Sequence, residues 1–208
     1  MPHFMKTTCD TKEKLLLVAF DLIWDSSYGS VSVDDICRRA GINKGSFYHF
    51  FKSKADLAIE AYEEHARRME PVLDSVFASG TPGLEQVRRW CELVVEIQQE
   101  KAAEYGRICG CPYASLGAEL ATQDEKIRSR VELIICTNRK RLEGAISEAI
   151  RDGSAAAGDP VSATQRAYSV CLGMLVEAKV RNNLEVLSEL EPAVMGILGV
   201  PAGPRVSA

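Results

Sequence analysis

The chain has 208 residues, of which 46% are hydrophobic and 26% are charged. This composition is ordinary for a globular protein, and the length suffices for one or two compact domains. No apolar run approaches the roughly 20 residues of a transmembrane helix, and the start lacks the apolar core of a signal peptide. We therefore expect a cytoplasmic protein with no membrane partner. The seven cysteines have no regular spacing, which argues against a disulfide framework and favours reduced thiols.

The net charge of −4 is unevenly distributed along the chain. Residues 1–54 contain eight Lys and Arg against six Asp and Glu, a net charge of +2. Residues 55–208 contain 17 against 23, a net charge of −6. A basic N-terminal segment on an acidic remainder favours contact with nucleic-acid phosphates at the N-terminal end.

In chain order, the first predicted elements are three helices. Residues 15–23 carry apolar side chains at helical spacing. Ser32 is a suitable N-cap for a second, short helix, and Gly41 is a suitable glycine to end it. Asn43 is the N-cap of a third helix that runs to about Phe50. Two short helices joined by a tight glycine turn are typical of a helix-turn-helix unit.

Every later element is also predicted to be helical, so the fold class is all-α. The boundaries follow from caps, prolines and glycines. The predicted elements are a long helix from Ser53 that Pro71 kinks or ends, a loop at 79–83, a helix over about 84–98, an irregular segment near 106–112, a helix of about 122–151, a loop at 153–158, a helix from Asp159 to about Asn182, a last helix to about Leu198, and a flexible tail from Pro201.

Candidate DNA-binding residues lie at the start of the third helix. Lys44, Gly45 and Ser46 form the turn that enters the major groove when such a helix recognises DNA. Lys44 can donate to guanine or to a phosphate, Gly45 allows close approach, and Ser46 can contact either base type. Composition alone also allows a surface turn between two core helices. The predicted phosphate contacts are Ser32, Tyr48, His49 and Lys54.

Residues 11–57 resemble the TetR family of bacterial regulators, whose heads end in Gly-Ile-x-Lys-Gly-Ser-Phe-Tyr-x-His/Phe-Phe-x-x-Lys-x-x-Leu. The matching residues are Gly41, Ile42, Lys44, Gly45, Ser46, Phe47, Tyr48, His49, Phe50, Lys54 and Leu57. The resemblance implies a homodimer that binds a palindromic operator of double-stranded DNA, joined through the last two long helices of each subunit. The two heads should then lie about 34–36 Å apart. The predicted domains are a helix-turn-helix domain at 1–56, a helical sensing and dimerisation domain at 57–200, and a flexible tail at 201–208.

The most unusual segment of the remaining chain is Cys109-Gly110-Cys111-Pro112. Pro112 suits the first position of a helix, which puts Cys111 at or beside the N-cap. A thiol there lies at the positive end of the helix dipole, so we expect its pKa to be lowered. Cys109 is a candidate second thiol. Lys179 lies on an apolar helix face with a stem predicted to be buried, and a lysine near a thiol favours the thiolate.

This part of the chain resembles the NemR-like subgroup of the TetR family, whose members sense electrophiles and oxidants. The matching pieces are Gly110-Cys111, Leu116, Ala118-Glu119, Leu172-Gly173 and Ala178-Lys179. In that subgroup the Gly-Cys cysteine is the reactive thiol, and the lysine of the Ala-Lys pair is linked to it. The resemblance implies these roles for Cys111 and Lys179. The chain departs from the pattern at Cys109 and Pro112, which leaves open whether a modified Cys111 stays a single adduct or is resolved by Cys109.

Two hypotheses for the regulatory signal follow. The first is a repressor that leaves its operator when a reactive electrophile or oxidant modifies Cys111. The second is a repressor induced by a small organic ligand that binds non-covalently in a C-terminal helical pocket, because related subgroups with the same Gly-Cys motif bind organic acids. The cysteines expected to be small buried hydrophobes are Cys37, Cys91, Cys136 and Cys171.

Two further classes are disfavoured. A metal sensor at Cys109 and Cys111 lacks a Cys/His pair at helix-face spacing to complete its ligands, so no metal is predicted. An enzyme lacks a Cys-His-Asn/Asp set, a phosphate loop and a dinucleotide fingerprint. We therefore expect neither a cofactor nor catalytic activity.

Overall fold

The computed structural model describes residues 11–200, and every regular element within them is a helix. The all-α prediction is confirmed, whereas the predicted tail at 201–208 lies outside the described residues. None of these helices is both long and apolar enough to span a bilayer. The elements are α1 (Thr11–Asp25), α2 (Val33–Ala40), α3 (Lys44–Phe50), α4 (Lys54–Val76), α5 (Gly83–Tyr105), α6 (Pro112–Leu120), α7 (Glu125–Arg151), α8 (Pro160–Arg181), a 3₁₀ helix (Leu184–Glu189) and α9 (Leu190–Ile197).

The ends of α2 and α3 follow from local capping. The Oγ of Ser32 accepts from the backbone N–H of Asp35 at 3.1 Å, and the Asp35 carboxylate accepts from the N–H of Ser32 at 3.0 Å. Gly41 ends α2 with a φ of 65°, in the left-handed region that glycine adopts without strain. The Oδ1 of Asn43 accepts from the N–H of Ser46 at 2.8 Å and starts α3. The predicted helix-turn-helix boundaries are confirmed.

Of the two predicted effects of Pro71, a kink or an end of the helix, the structure excludes the end, and it divides the predicted last helix in two. α4 does not end at Pro71 but continues to Val76. The proline removes the donor for the carbonyl of Arg67, and both residues are exposed, so that water can satisfy this carbonyl. The predicted last helix is divided into a 3₁₀ helix and α9. In a continuous α-helix the ring of Pro192 would clash with the carbonyl four residues earlier, which accounts for this division.

The described chain divides into two compact units. The first comprises the described residues up to Met69 together with Ser115–Val131, and the second comprises Glu70–Ala114 and the described residues from Glu132 onward. The predicted boundary at residue 56 falls within α4. It remains a prediction about domain function and differs from this structural division.

Each unit has its own apolar core. In the first unit, Phe47 of α3 and Phe51 directly after it are buried, whereas Phe50 is half-buried. The chain becomes extended at Phe51, which ends α3 and turns that ring inward. In the second unit, α5 and α7 approach closely at Gly83, where a Cβ would lie 2.3 Å from the carbonyl oxygen of Ala145. The largest fully buried side chains are Leu15, Ile36, Phe47, Phe51, Leu57 and Ile127 in the first unit and Val87, Leu142, Ile146, Leu187, Leu190 and Leu198 in the second.

Candidate DNA-binding and sensing sites

The first turn of α3 presents the predicted base-contacting residues. Lys44 and Gly45 are exposed, and Ser46 is half-buried with its backbone N–H held by the Asn43 cap. A Cβ on Gly45 would lie 3.1 Å from the Oδ1 of Asn43. Glycine at this position therefore leaves room for the cap as well as for a close approach of DNA.

Lys44 is paired with a carboxylate in the absence of DNA. Its Nζ lies 2.7 Å from Oδ1 of Asp34, and this hydrogen bond raises the pKa of Lys44. Both side chains are more than half exposed, at 54% and 63%. Such an exposed pair contributes little stability, so a guanine or a phosphate can replace Asp34 at low cost.

Tyr48 and His49 are exposed on the same helix, as a predicted phosphate contact requires. Tyr48 is 58% exposed and packs edge-on against the buried ring of Phe47, with ring centroids 5.0 Å apart. His49 packs edge-on against Phe50 at 4.9 Å. These ring contacts orient both polar groups at the surface of the head.

The structure gives Lys54 and Ser32 partners within the head itself. The Nζ of Lys54 donates to the carbonyl oxygens of Tyr28 at 2.8 Å and Val31 at 2.9 Å, and lies 3.9 Å from the centroid of the Tyr28 ring. Burial lowers the pKa of Lys54. The hydroxyl and backbone N–H of Ser32 are used by the capping box with Asp35. Both side chains thus have partners within the head, and their roles as phosphate contacts stay predictions.

Two exposed cations near α3 were missed by the sequence reasoning. Lys52 follows α3 directly, and Arg39 lies in the last turn of α2. Neither forms an ion pair with another residue in the described range 11–200. The available signal was the position of Lys52 inside the motif that resembles the family, only two residues past the end of α3.

The candidate sensing thiol lies at the start of α6. The helix begins at Pro112, as predicted, and Cys111 precedes it with its side chain half-buried. The backbone N–H of Ala114 donates to the Sγ of Cys111 at 3.5 Å. The thiol thus occupies the position of a capping side chain, which confirms the predicted placement.

The predicted lowering of the Cys111 pKa is wrong. Burial raises the pKa of this thiol, and the amides of Ala114 and Tyr113 lower it by a smaller amount. The helix start therefore acts in the expected direction, but desolvation of the thiolate outweighs it. Among residues 11–200, the ammonium of Lys179 is not one of the groups that shift this pKa.

The structure brings Lys179 and Cys109 to the segment that holds Cys111. Gly110 has a φ of 72°, and a Cβ there would lie 3.4 Å from the Cδ of Lys179 and 3.4 Å from the carbonyl oxygen of Leu175. The lysine stem therefore packs beside Gly110, and the left-handed φ favours glycine at this position. Cys109 is buried, and its Sγ donates to the carbonyl oxygen of Arg107 at 3.8 Å.

Two side chains that the sequence reasoning did not select hold this segment in place. Gln98 is 3% exposed, its Oε1 accepts from the N–H of Gly110 at 2.8 Å, and its Nε2 donates to the carbonyl of Gly110 at 3.3 Å. The Oδ1 of Asn182 accepts from the N–H of Ile108 at 3.0 Å. An amide on the apolar stripe of α5 was the signal that could have identified Gln98.

Cys111 faces an aromatic and thiol-rich part of the second unit. The rings of Trp90 and Tyr168 are stacked with centroids 6.2 Å apart. Burial, and then the negative charge of an ionised Cys111, raise the pKa of both Tyr113 and Cys171. The expectation of burial holds for Cys37, Cys91 and Cys171, whereas Cys136 is half-buried.

The exposed side of α8 carries three valines among the polar residues Ser162, Gln165 and Ser169. Val161, Val176 and Val180 are 51%, 59% and 80% exposed, and Gly173 lies on the same side with open space at its Cβ position. Their spacing puts them on one stripe of the helix. Exposed apolar side chains on one side of a helix are candidates for a protein–protein interface.

Two family models match this chain. The model of the bacterial regulatory proteins of the tetR family matches residues 15–61, which include the helix-turn-helix unit. The model of the tetracyclin repressor-like C-terminal domain matches residues 83–193. The chain belongs to the TetR family. TetR-family regulators bind DNA and act as dimers, and the family is non-enzymatic, in agreement with the predictions.

Two curated relatives align with most of this TetR-family chain. It is 25% identical over 203 residues to the HTH-type transcriptional repressor NemR of Escherichia coli, covering 94% of this chain and 98% of that protein. It is 29% identical over 171 residues to the transcriptional regulator AcuR of Cereibacter sphaeroides, covering 80% and 75%.

Two solved structures show the same fold. The reduced form of E. coli NemR matches with a TM-score of 0.74 and 26% identity over 93% of this chain and 100% of that chain. The regulatory protein TetR from Rhodobacter sphaeroides matches with a TM-score of 0.79 and 25% identity over 90% and 98%. The named relatives NemR and AcuR are transcriptional regulators.

Proposed function

We propose that this TetR-family protein is a dimeric repressor that leaves a palindromic operator when an electrophile or oxidant modifies Cys111. The observation that carries the proposal is the position of this thiol. Its Sγ accepts the N–H of Ala114 at the start of α6, beside Gly110, whose backbone is hydrogen-bonded to the buried Gln98. The relative NemR is a repressor that has been crystallised in a reduced form, which fits a regulator with a redox-sensitive group.

The proposed reaction is the addition of Cys111 to an electron-poor alkene such as N-ethylmaleimide. The sulfur–carbon bond forms at one alkene carbon, and the proton lost by the thiol reaches the other alkene carbon through water. The adduct adds several heavy atoms to a sulfur that accepts the N–H of Ala114, in the first turn of α6. Because packed interiors do not stretch to admit such a group, the start of α6 must move.

In the DNA-binding step, α3 enters the major groove. Lys44, Gly45 and Ser46 contact base edges, and Tyr48 and His49 contact phosphates. In this proposal Lys54 has a different role from the predicted one, because its ammonium already holds two carbonyl groups of the head.

The second subunit is proposed to pack on the exposed valines of α8, together with α9. Val161, Val176 and Val180 supply the apolar area, and Gly173 permits close approach of a partner helix. The dimer would bury surface that a monomer leaves in contact with water.

The decisive experiment measures operator release in the wild-type protein and two serine variants. The operator is first selected from random double-stranded DNA with the wild-type protein, and binding is followed by fluorescence anisotropy with and without N-ethylmaleimide. We expect release of wild type and of Cys136→Ser, which is the matched control because Cys136 is also half-buried. Cys111→Ser should stay bound. Equal release of Cys111→Ser and wild type would refute the proposal.

A non-covalent ligand is the second candidate, and the raised pKa of Cys111 favours it. A thiol with a raised pKa has little thiolate near pH 7, which disfavours covalent modification as the signal. A thiol-inert compound that releases the operator from both wild type and Cys111→Ser would support this alternative.

A further inference from the structure

Glu119 connects α6 to the turn that precedes the helix-turn-helix. The backbone N–H of Tyr28 donates to one carboxylate oxygen at 2.9 Å, and the N–H of Gly29 donates to the other at 2.6 Å. α1 ends at Asp25 and α2 begins at Val33, so these two amides lie in the connecting turn. The carboxylate therefore binds a pair of consecutive amides about ninety residues away in sequence.

A second charged side chain holds the same turn. The Nζ of Lys54 donates to the carbonyls of Tyr28 and Val31 and lies over the Tyr28 ring. The negative charge of Glu119 raises the pKa of Lys54, in opposition to burial, which lowers it by a larger amount. The turn is thus held by a carboxylate from α6 and by an ammonium from the first residue of α4.

The position of Glu119 is unfavourable for the helix that carries it. It lies in the last turn of α6, where the negative end of the helix dipole disfavours a carboxylate. The hydrogen bonds that stabilise the Glu119 carboxylate therefore come from Tyr28 and Gly29 of the head and not from α6 itself. A side chain that is unfavourable for its own helix but forms a contact with a distant segment is expected to serve a function.

We infer that Glu119 is the positioning residue by which α6 keeps the head in its operator-binding geometry. The turn it holds leads directly into α2, and α2 leads through Gly41 into α3, which carries Lys44. Loss of the two hydrogen bonds leaves the turn held by Lys54 without Glu119 and loosens the orientation of α2 and α3. α6 also begins directly after Cys111, so displacement of the start of α6 acts on the same helix that ends at this contact.

The test compares Glu119→Gln with Glu100→Gln, which removes the same charge from an exposed position on α5. Operator affinity is measured by anisotropy at fixed salt concentration without any inducer. We expect Glu119→Gln to raise the operator Kd roughly tenfold, the equivalent of about one charge-assisted hydrogen bond, and Glu100→Gln to leave it within twofold. Amide hydrogen exchange of Tyr28 and Gly29 should accelerate only in the first variant.

A second variant tests the same contact from the opposite side. A Cβ on Gly29 would lie 2.9 Å from the Oε1 of Glu119, so Gly29→Ala displaces the carboxylate without changing any charge. We expect an intermediate loss of operator affinity, on the order of threefold, and faster exchange of the same amides. If Glu119→Gln does not fold, this variant alone decides. Unchanged Kd and unchanged exchange in the folded variants would overturn the inference.

The inference rests on the proposed function in one respect, namely that modification of Cys111 displaces α6. Operator affinity and amide exchange in the absence of inducer test Glu119 directly. If Cys111→Ser still releases the operator, the sensing proposal fails while the result for Glu119 stands. If Glu119→Gln binds the operator as wild type does, the positioning role fails whatever Cys111 does.

Discussion

Replacement of Gln98 by leucine should destabilise the protein and increase the reactivity of Cys111. Gln98 is buried, and its amide satisfies both the N–H and the C=O of Gly110. Leucine fills a similar volume but removes both hydrogen bonds. Each buried backbone group left without a partner costs about 1–3 kcal/mol, so we expect a loss of about 3 kcal/mol in the free energy of unfolding.

The assay combines urea unfolding with thiol labelling. Unfolding is followed by intrinsic fluorescence, to which Trp90 contributes from the same unit as Gln98. Labelling of Cys111 by N-ethylmaleimide is followed by mass spectrometry at a urea concentration well below the transition. We expect Gln98→Leu to react several times faster than wild type, because the released segment exposes the neighbouring thiol.

The matched control is Gln99→Leu, one residue along the same helix but exposed. It introduces the same side chain without removing a buried hydrogen bond, so its effect on stability should stay within about 0.5 kcal/mol. If Gln98→Leu and Gln99→Leu had the same stability and the same rate of Cys111 labelling, the assignment of Gln98 as the residue that holds this segment would be refuted.

Three further outcomes are expected. The rate of Cys111 labelling should rise about tenfold per pH unit from pH 7 to 8.5, because only the thiolate reacts and burial raises the pKa of this thiol. A labelling rate that reaches a plateau below pH 8 would contradict the raised pKa. Ser32→Ala should lower the free energy of unfolding by about 1 kcal/mol in thermal or urea denaturation, because it removes the N-cap of α2. Val176→Arg should convert the dimer to a monomer, because it puts a charge in the centre of the proposed interface. The measurement is analytical ultracentrifugation. A dimer that persists in this variant would mean that the interface lies elsewhere.

The helix-turn-helix was predictable because its determinants are local. Ser32, Gly41 and Asn43 act on backbone groups within four residues of themselves, and the structure has each of these caps as the sequence pattern indicates. The start of α6 at Pro112 was predictable for the same reason, since a proline in the first helical position lacks only a donor that would have no partner.

The partners of the site residues were not predictable in the same way. Gln98 with Gly110, and Asn182 with Ile108, pair side chains with backbone groups on other elements. A pattern within one helix shows only that Gln98 interrupts an apolar stripe. The direction of the Cys111 pKa shift depends likewise on how deeply α6 packs, so a local rule about helix starts predicted the wrong sign.

Burial of Cys111 has opposite effects on the speed and on the consequence of its modification. A thiol with a raised pKa reacts more slowly than an exposed one, because less of it is thiolate at neutral pH. An adduct on an exposed thiol, however, changes no packing and therefore has no differential free energy between two conformations of the protein. At Cys111 the sulfur accepts the N–H of Ala114, so an adduct there acts on the first turn of α6. A hundredfold change in operator affinity requires about 2.7 kcal/mol, which is within the range that overpacking of a close-packed interior provides. In the proposed mechanism, slow reaction is the consequence of placing the thiol where its modification can move a helix.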